Sequence, residues 1–187
     1  MKYILSILFF LLTIPAFGSY PAIDSFSGTG PLSTNWTNTS ASGYVALTQS
    51  SGTVVPSASG AQGLATYTSI TFAFNQYSRV TFYQSAAGGS STGPCVRMSA
   101  SGDGVCYLAS DGAMYVLSNG AGLNGVSASC PVPSNGDVIE ISVVDATYTC
   151  TDITTNTSAS GTDYTYSSGN PGLLVDQRTT TTSLGQF

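Results

Sequence analysis

The chain has 187 residues, only 7% of them charged, and contains no histidine. Nine acidic residues against four basic ones give a formal net charge of −5 at pH 7, so nucleic acid is excluded as a partner because too few basic groups are present to neutralise a row of phosphates. The lack of histidine excludes the Ser-His-Asp catalytic arrangement and imidazole metal ligands.

The first residues have the pattern of a secretory signal peptide. Lys2 precedes an apolar run over residues 4–17, which ends in small residues before Ser19. The run contains Pro15 and is shorter than the roughly 18 apolar residues that a retained membrane anchor needs. We therefore predict a signal peptide over residues 1–18 and a single domain over residues 19–187. The domain is expected to be secreted, either extracellular or at the cell surface, without membrane insertion after signal cleavage.

Short runs of alternating apolar and polar residues recur along the rest of the chain. They cover residues 44–48, 79–83, 95–99, 105–109, 114–117, 138–143 and 147–150. Glycine-containing turn clusters separate them, among them residues 101–104, 110–112, 118–120 and 134–136. Short strands divided by Asp-Gly and Asn-Gly turns are typical of an all-β sandwich or barrel. The sequence therefore predicts an antiparallel β-sandwich or barrel.

The four cysteines are Cys95, Cys106, Cys130 and Cys150. An even number of cysteines in an exported chain predicts two disulfides, and their spacing is too wide for a zinc site. Three pairings are formally open. We favour Cys95–Cys106 with Cys130–Cys150, because each of these bonds would close a local loop.

Both ends of the predicted domain resemble a known superfamily. The stretch DSFSGTGPLSTNWT at residues 24–37, the hairpin GDVIEISV at 136–143, the segment YSSGNPGL at 166–173 and the final LGQF at 184–187 carry the resemblance. Together they are similar to bacterial secreted domains of the concanavalin A-like lectin/glucanase superfamily, which includes laminin-G-like domains. The resemblance implies a jelly-roll β-sandwich with one concave sheet, neighbouring N- and C-terminal strands, and a turn around residues 169–172. Members include lectins, adhesion domains, glucanases and lyases, so the fold alone does not choose an activity.

Glu140 is the only glutamate and the best suspect for a catalytic acid. Glycoside hydrolysis needs two carboxyl groups on one sugar, and the E-x-D-x-x-E motif of the related glucanases is missing. Strand alternation places Glu140 on the opposite face from Ile139 and Ile141, with Thr151 or Cys150 opposite it on the next strand. We favour a solvated strand charge and assign no catalytic residue.

A polysaccharide lyase is a further enzymatic alternative, because it needs a base, often tyrosine, beside a group that neutralises a carboxylate. Arg97 next to Tyr107 or Tyr115 on a neighbouring strand would suit this chemistry. Most tyrosines of a β protein pack with only the hydroxyl at the rim, however, so the lyase remains a minor hypothesis.

Sugar binding requires an aromatic platform and a few polar partners. Trp36 lies in the opening pattern and is expected in the core. The surface residues that we predict to bind carbohydrate are Tyr77, Tyr83, Tyr107, Tyr115, Asp111 and Asn119, with Asn75 and Gln76 as further polar partners.

Calcium is the one metal that the chain's carboxylates suggest. The oxygen ligands would come from Asp103 or Asp111, or from Asp24 with Asp176 near the chain ends. No D-x-D-x-D-G loop is present, so we predict no cofactor and no dedicated metal site, with room only for weak calcium binding.

These features favour a secreted carbohydrate-binding or surface-adhesion module without catalytic activity, whose partner is a glycan or polysaccharide. The first alternative is a structural subunit of an extracellular fibre, coat or matrix, self-associating through sheet edges that lack lysine. The second alternative is a polysaccharide hydrolase or lyase.

Overall fold

The computed structural model describes residues 22–84, 91–127, 129–178 and 182–187; the predicted signal peptide, residues 1–18, lies outside them. Within these ranges, the regular structure consists of sixteen strands and one short 3-10 helix, Ala109–Asp111. The strands are β1 Thr29–Pro31, β2 Trp36–Asn38, β3 Tyr44–Val45, β4 Leu47–Ser50, β5 Thr53–Pro56, β6 Gln62–Tyr67, β7 Gln76–Gln84, β8 Gly93–Met98, β9 Gly104–Leu108, β10 Ala113–Ser118, β11 Ala121–Ser127, β12 Val138–Val144, β13 Thr147–Asp152, β14 Thr157–Thr162, β15 Asn170–Asp176 and β16 Thr182–Gly185. Within the described ranges, no helix is long and apolar enough to span a bilayer.

The strands form two sheets that pack face to face. Sheet A has the order β1-β4-β5-β16-β7-β12-β13-β14, and sheet B has the order β11-β10-β9-β8-β15-β6-β2. All neighbouring strands along both orders pair antiparallel, while β3 pairs parallel with β6 of sheet B. Strands that follow one another along the chain often lie in different sheets, as β15 and β16 do. The predicted antiparallel jelly-roll sandwich is confirmed.

The main core lies between the two sheets and is built from alternate residues of the facing strands. In β12, Ile139, Ile141 and Val143 are buried while the residues between them are partly exposed, so the predicted alternation of this strand is confirmed. Val96 of β8 and Val105 of β9 approach from sheet B. Burial of this apolar surface is the main favourable term in folding.

The two chain ends close the sandwich together. The backbone N–H of Asp24 donates to Phe187 O at 3.0 Å, and the N–H of Phe187 donates back to Asp24 O at 2.9 Å. The indole N–H of Trp36 donates to the Asp24 carboxylate at 2.9 Å, and its ring packs edge-on against Tyr67 and Phe187. Trp36 is therefore a core residue, as its place in the sequence pattern predicted.

Both predicted disulfides are present. Cys95 and Cys106 face each other across the β8–β9 pair, and Cys130 bonds Cys150 of β13. No free cysteine occurs among the described residues. The favoured pairing is confirmed. Each bond joins strands or segments that are close in sequence, so folding of the local chain brings the two cysteines together.

The segment around residues 169–172 differs from the turn that the resemblance implied. Strand β15 already begins at Asn170 and pairs with β8, with a register shift between Asn170 and Gly172. Gly169, the residue immediately before the strand, has a φ of +138°. A side chain there would meet the backbone of Arg97 at 2.4 Å, so only glycine allows this close approach. Gly169 therefore marks the point where the chain enters β15, a central strand of sheet B.

Candidate functional site

The central strands of sheet B are buried on both faces, which sets this sheet apart from an ordinary half-solvated sheet. In β9, Val105 and Tyr107 point into the main core, while Cys106 and Leu108 point outward. The outward residues of sheet B form a second buried cluster: Leu64, Cys95, Met98, Cys106, Leu108, Leu117 and Leu174, with Tyr44 and Tyr115 packed against it.

A groove of about 320 Å³ lies over this outer face. Its volume is at the lower end of the range of about 300–1,000 Å³ that is usual for small-ligand sites. The described residues that line it are Tyr44, Gln62, Ser91, Leu108, Asp111, Tyr115, Leu117, Gly120, Ala121, Gly122, Leu174 and Arg178. The leucines belong to the buried cluster and form an apolar floor.

Polar side chains form a row across one end of the groove, one from the end of each of four neighbouring strands of sheet B. Asp111 follows β9, Ser91 precedes β8, Arg178 follows β15 and Gln62 begins β6. These four strands are consecutive neighbours in sheet B, so their side chains succeed one another across the sheet. The hydroxyl of Ser91 donates to the Asp111 carboxylate at 3.1 Å.

The charge of Arg178 is balanced by Asp176, the last residue of β15. Nε of Arg178 lies 3.0 and 3.1 Å from the two carboxylate oxygens of Asp176, and Nη2 lies 2.7 Å from Oδ2. The hydrogen bond to Asp176 raises the pKa of the Arg178 guanidinium. The Asp176 side chain is 4% exposed and that of Arg178 is 54% exposed, so the cation reaches the groove while its partner lies below it.

Tyr44 and the β10–β11 turn form another wall. The Tyr44 hydroxyl donates to the carbonyl oxygen of Gly120 at 2.6 Å. Burial raises the pKa of the Tyr44 hydroxyl. The turn itself is the two-residue loop Asn119-Gly120, and both residues have positive φ, +50° and +78°. Such loops match the twist of a hairpin and favour Asn-Gly.

The structure brings two of the predicted carbohydrate-binding residues, Tyr115 and Asp111, into the groove. Asn119 is next to it, in the turn, where its backbone N–H donates to the Asp103 carboxylate at 2.8 Å. That hydrogen bond is the largest cause of the lowered pKa of Asp103. The role of Tyr115, Asp111 and Asn119 in binding stays a prediction.

Tyr77 and Tyr83 lie on β7, on the outer face of sheet A, and are 47% and 38% exposed. They are at the surface, on the opposite sheet from the groove. Tyr107 is fully buried in the main core, where its hydroxyl donates to Pro131 O. Its expected surface position is therefore wrong: it shares the inward face of β9 with Val105, since residues two apart point the same way.

Glu140 is held by an ion pair on the outer face of sheet A. It stands directly opposite Arg79 of β7 and Thr151 of β13. Nε and Nη2 of Arg79 donate to Glu140 Oε2 at 2.9 and 2.6 Å. The predicted register with Thr151 is confirmed, and the partner of Glu140 is a cation. This arrangement does not supply a carboxyl pair for hydrolysis.

Arg97 does not face the groove with Tyr107 or Tyr115, so the arrangement considered for a lyase is wrong. It is 3% exposed and makes its hydrogen bonds inside the sandwich, to Tyr148 and to the carbonyl oxygens of Phe74, Asp145 and Tyr166. Asn75 and Gln76 serve the same region. Asn75 accepts from the backbone N–H of Asp145, and Gln76 accepts from that of Arg97.

Three of the four carboxylates considered for calcium are engaged in the fold, while Asp111 accepts one described hydrogen bond, from Ser91. Asp24 accepts from Trp36, Ser33 and the N–H of Phe26, and Asp176 pairs with Arg178. Asp103 accepts from Ser99, Ser101 and Asn119. Among the described residues, no three histidine, cysteine or acidic side chains are grouped as a metal site would require.

Several groove residues were not predicted from the sequence, namely Tyr44, Gln62, Leu174 and Arg178. Tyr44 stands in an alternating run and Arg178 is an isolated basic residue in an acidic chain, so both were visible signals. Neither signal tells which sheet or which face the residue joins.

No protein-family model matches the chain, and no curated protein sequence matches it. Several solved structures match the chain in fold. The carbohydrate-binding module CBM66 from Bacillus subtilis superposes with a TM-score of 0.53 at 14% identity, over 82% of this chain and 92% of that one. The exoplasmic/lumenal domain of VIP36, in a form bound to Ca²⁺ and Man₃GlcNAc, superposes with a TM-score of 0.50 at 11% identity, over 89% of this chain and 88% of that one.

The chain has the concanavalin A-like fold. The fold that the sequence resemblance implied is thereby confirmed. Identities this low show the architecture, and a site must be argued from this chain's own residues.

Proposed function

We propose that this protein is a secreted carbohydrate-binding or surface-adhesion module that holds a glycan in the groove on the outer face of sheet B. One observation carries the proposal: the leucine floor and Tyr115 lie beside a row of hydrogen-bonding side chains, Asp111, Arg178 and Gln62. A sugar presents both an apolar ring face and hydroxyl groups, and sites that combine apolar lining with a few placed polar groups suit such ligands.

The structural neighbours support a glycan as the ligand class. CBM66 is a carbohydrate-binding module by name, and the VIP36 domain was solved with Man₃GlcNAc. The two disulfides support an oxidising, extracellular location, where such bonds persist.

The positions of the carboxylates support binding without catalysis. Of the described residues that line the groove, Asp111 alone carries a carboxylate, and Glu140 lies on the outer face of the other sheet. Hydrolysis needs a pair of carboxyl groups, one on each side of the glycosidic bond.

Retention on immobilised polysaccharides and glycan arrays tests the proposal. We expect the wild-type protein to be retained, and Tyr115→Ala to weaken binding by about tenfold, the effect of losing roughly 1.4 kcal/mol of ring contact. Tyr83→Ala, which removes a tyrosine from the outer face of sheet A, is the matched control and should bind normally. Gln62→Ala adds a variant on the polar side, in case Tyr115→Ala unfolds the site. A calcium chelator should not change retention.

Failure of the wild type to bind any glycan would overturn the proposal. So would a loss of binding in Tyr83→Ala that equals the loss in Tyr115→Ala, because the ligand would then lie elsewhere.

A structural subunit that self-associates is the second candidate, and strand β14 favours it. Residues Thr157–Thr162 form the edge of sheet A and include no charged residue and no proline, the usual protection of a sheet edge. We expect the sedimentation coefficient to rise with protein concentration, and Ser160→Lys on this edge to suppress the rise. Monomeric behaviour at every concentration would contradict this candidate, and Ser142→Lys, on the central strand β12, is the control.

A further inference from the structure

The charges around the groove indicate which class of glycan it takes. We propose that the groove selects uncharged glycans over glycans that bear carboxylates, and that Asp176 sets this selectivity by neutralising Arg178. The inference rests on the proposed glycan site and names its ligand class.

Arg178 is the one basic side chain that lines the groove within the described part of the chain. Arg79 is paired with Glu140 on the outer face of sheet A, and Arg97 is buried between the sheets. Any recognition of a ligand carboxylate by a cation in this groove would therefore depend on Arg178. Arginine is the usual partner for a carboxylate because its planar fork offers two parallel N–H donors.

The Nε/Nη2 edge of the guanidinium is already occupied from below. Asp176 takes both Nε and Nη2 of Arg178, at distances from 2.7 to 3.1 Å, and Oδ1 of Asp176 also accepts from the backbone N–H of Arg178 at 2.9 Å. A second carboxylate from a ligand would have to displace Asp176 or approach a pair that carries no net charge. Asp176 is itself too buried to line the groove, so it acts on a ligand through Arg178.

The remaining groups suit hydroxyls. Nη1 of Arg178 makes no hydrogen bond to another described residue, which leaves a donor for a sugar oxygen. Asp111 offers acceptor oxygens on the other side of the row and has one described hydrogen bond, from Ser91. A ligand carboxylate would be repelled by Asp111 and by the net charge of −5 on the chain, whereas a sugar hydroxyl can donate to Asp111.

The experiment uses one polymer in two forms: a neutral polysaccharide that the wild-type protein retains, and the same polysaccharide after its primary hydroxyls are oxidised to carboxylates. We expect the wild type to bind the oxidised form about tenfold more weakly at low salt. The preference should shrink as salt is added, because screening weakens repulsion.

Asp176→Asn keeps the shape of the side chain and removes its charge, so Arg178 gains an unbalanced positive charge. This variant should lose most of the preference, a change of about tenfold in the ratio of the two affinities, even if both affinities fall. Glu140→Gln, which frees Arg79 in the same way on the other sheet, should leave the ratio unchanged. If Asp176→Asn does not fold, Arg178→Gln provides the second measurement, because it removes the cation and should keep or strengthen the preference.

Equal binding of both polymers by the wild type would overturn the selectivity. An unchanged ratio in Asp176→Asn would overturn the role of Asp176. Failure to bind any neutral polymer is a different result, since it would overturn the proposed function itself.

Discussion

Replacing Arg97 by methionine is expected to lower the free energy of unfolding by about 3–5 kcal/mol, because three backbone carbonyls and the Tyr148 hydroxyl lose a charged hydrogen-bond donor. All five N–H donors of the guanidinium are used inside the protein. Nε and Nη2 donate to Phe74 O, Nη2 also to Asp145 O, and Nη1 to Tyr148 Oη and Tyr166 O. Methionine of similar length fills part of the space and supplies none of these donors.

The loss is large because Arg97 joins three loops. The carbonyl of Phe74 belongs to the loop before β7, that of Asp145 to the β12–β13 turn, and that of Tyr166 to the loop before β15. These hydrogen bonds are part-buried, so each carbonyl that loses its donor costs about 1 kcal/mol, the lower end of the range for an unpaired buried group. The guanidinium also lies 5.5 Å from the centre of the Tyr148 ring, a cation–π contact that methionine does not replace.

Arg79→Met is the matched control, measured by urea unfolding alongside Arg97→Met. Arg79 is half exposed and its pair with Glu140 is a surface ion pair, so its removal should cost less than about 1 kcal/mol. Equal losses in the two variants would contradict the account of Arg97. Arg97→Lys should also be destabilised, because a single ammonium cannot reach three carbonyls with fork geometry.

Removing the Cys130–Cys150 disulfide, with both cysteines replaced by alanine, is expected to lower the free energy of unfolding by about 3 kcal/mol. The bond closes a loop with a sequence separation of 20, and both sulfurs are buried. It ties the segment before β12 to β13 of sheet A. That segment also contacts sheet B, where the N–H of Cys130 donates to Gly112 O and Tyr107 donates to Pro131 O. The bond therefore links the two sheets.

The unfolding of the double-alanine variant should be compared with the wild type in oxidising and in reducing buffer. When both disulfides are reduced in each protein, the difference should largely vanish, because the effect comes from the covalent link. A difference that persists after reduction would mean that lost side-chain packing causes it. A loss below about 1 kcal/mol in oxidising buffer would show that the crosslink contributes little to stability.

The sequence predicted the strands well because their signals are local. Alternation over residues 138–143 and 147–150 corresponds to β12 and β13, and the Asn-Gly pair at 119–120 is the turn between β10 and β11. The disulfides followed for the same reason: β8 and β9 are joined by a short loop, which brings Cys95 opposite Cys106. Local pairing needs only the turn chemistry of the residues involved.

The faces of sheet B were not predictable in the same way. Every residue of β9 is buried, so neither face of the strand has the polar pattern that marks solvent. Alternation showed that Tyr107 and Cys106 point in opposite directions, but not which direction is inward. For this reason the surface position predicted for Tyr107 was wrong: Tyr107 lies in the core, and Tyr115 lines the groove. A sheet covered on both faces loses the contrast on which such predictions depend.

The sequence by itself determined the all-β class, the two disulfides and the core position of Trp36, because each depends on residue type and on neighbours along the chain, whereas the ion pair of Glu140 with Arg79 was visible only in the structure. Only the tertiary structure decided where a ligand could lie. The groove unites Tyr44 of β3, Gln62 of β6, Asp111 and Tyr115 from around the start of β10, and Arg178 after β15. These parts of the chain are far apart in sequence and are adjacent only through the strand order of sheet B. Strand order is set by burial of the whole core, a sum over many long-range contacts that no single motif records.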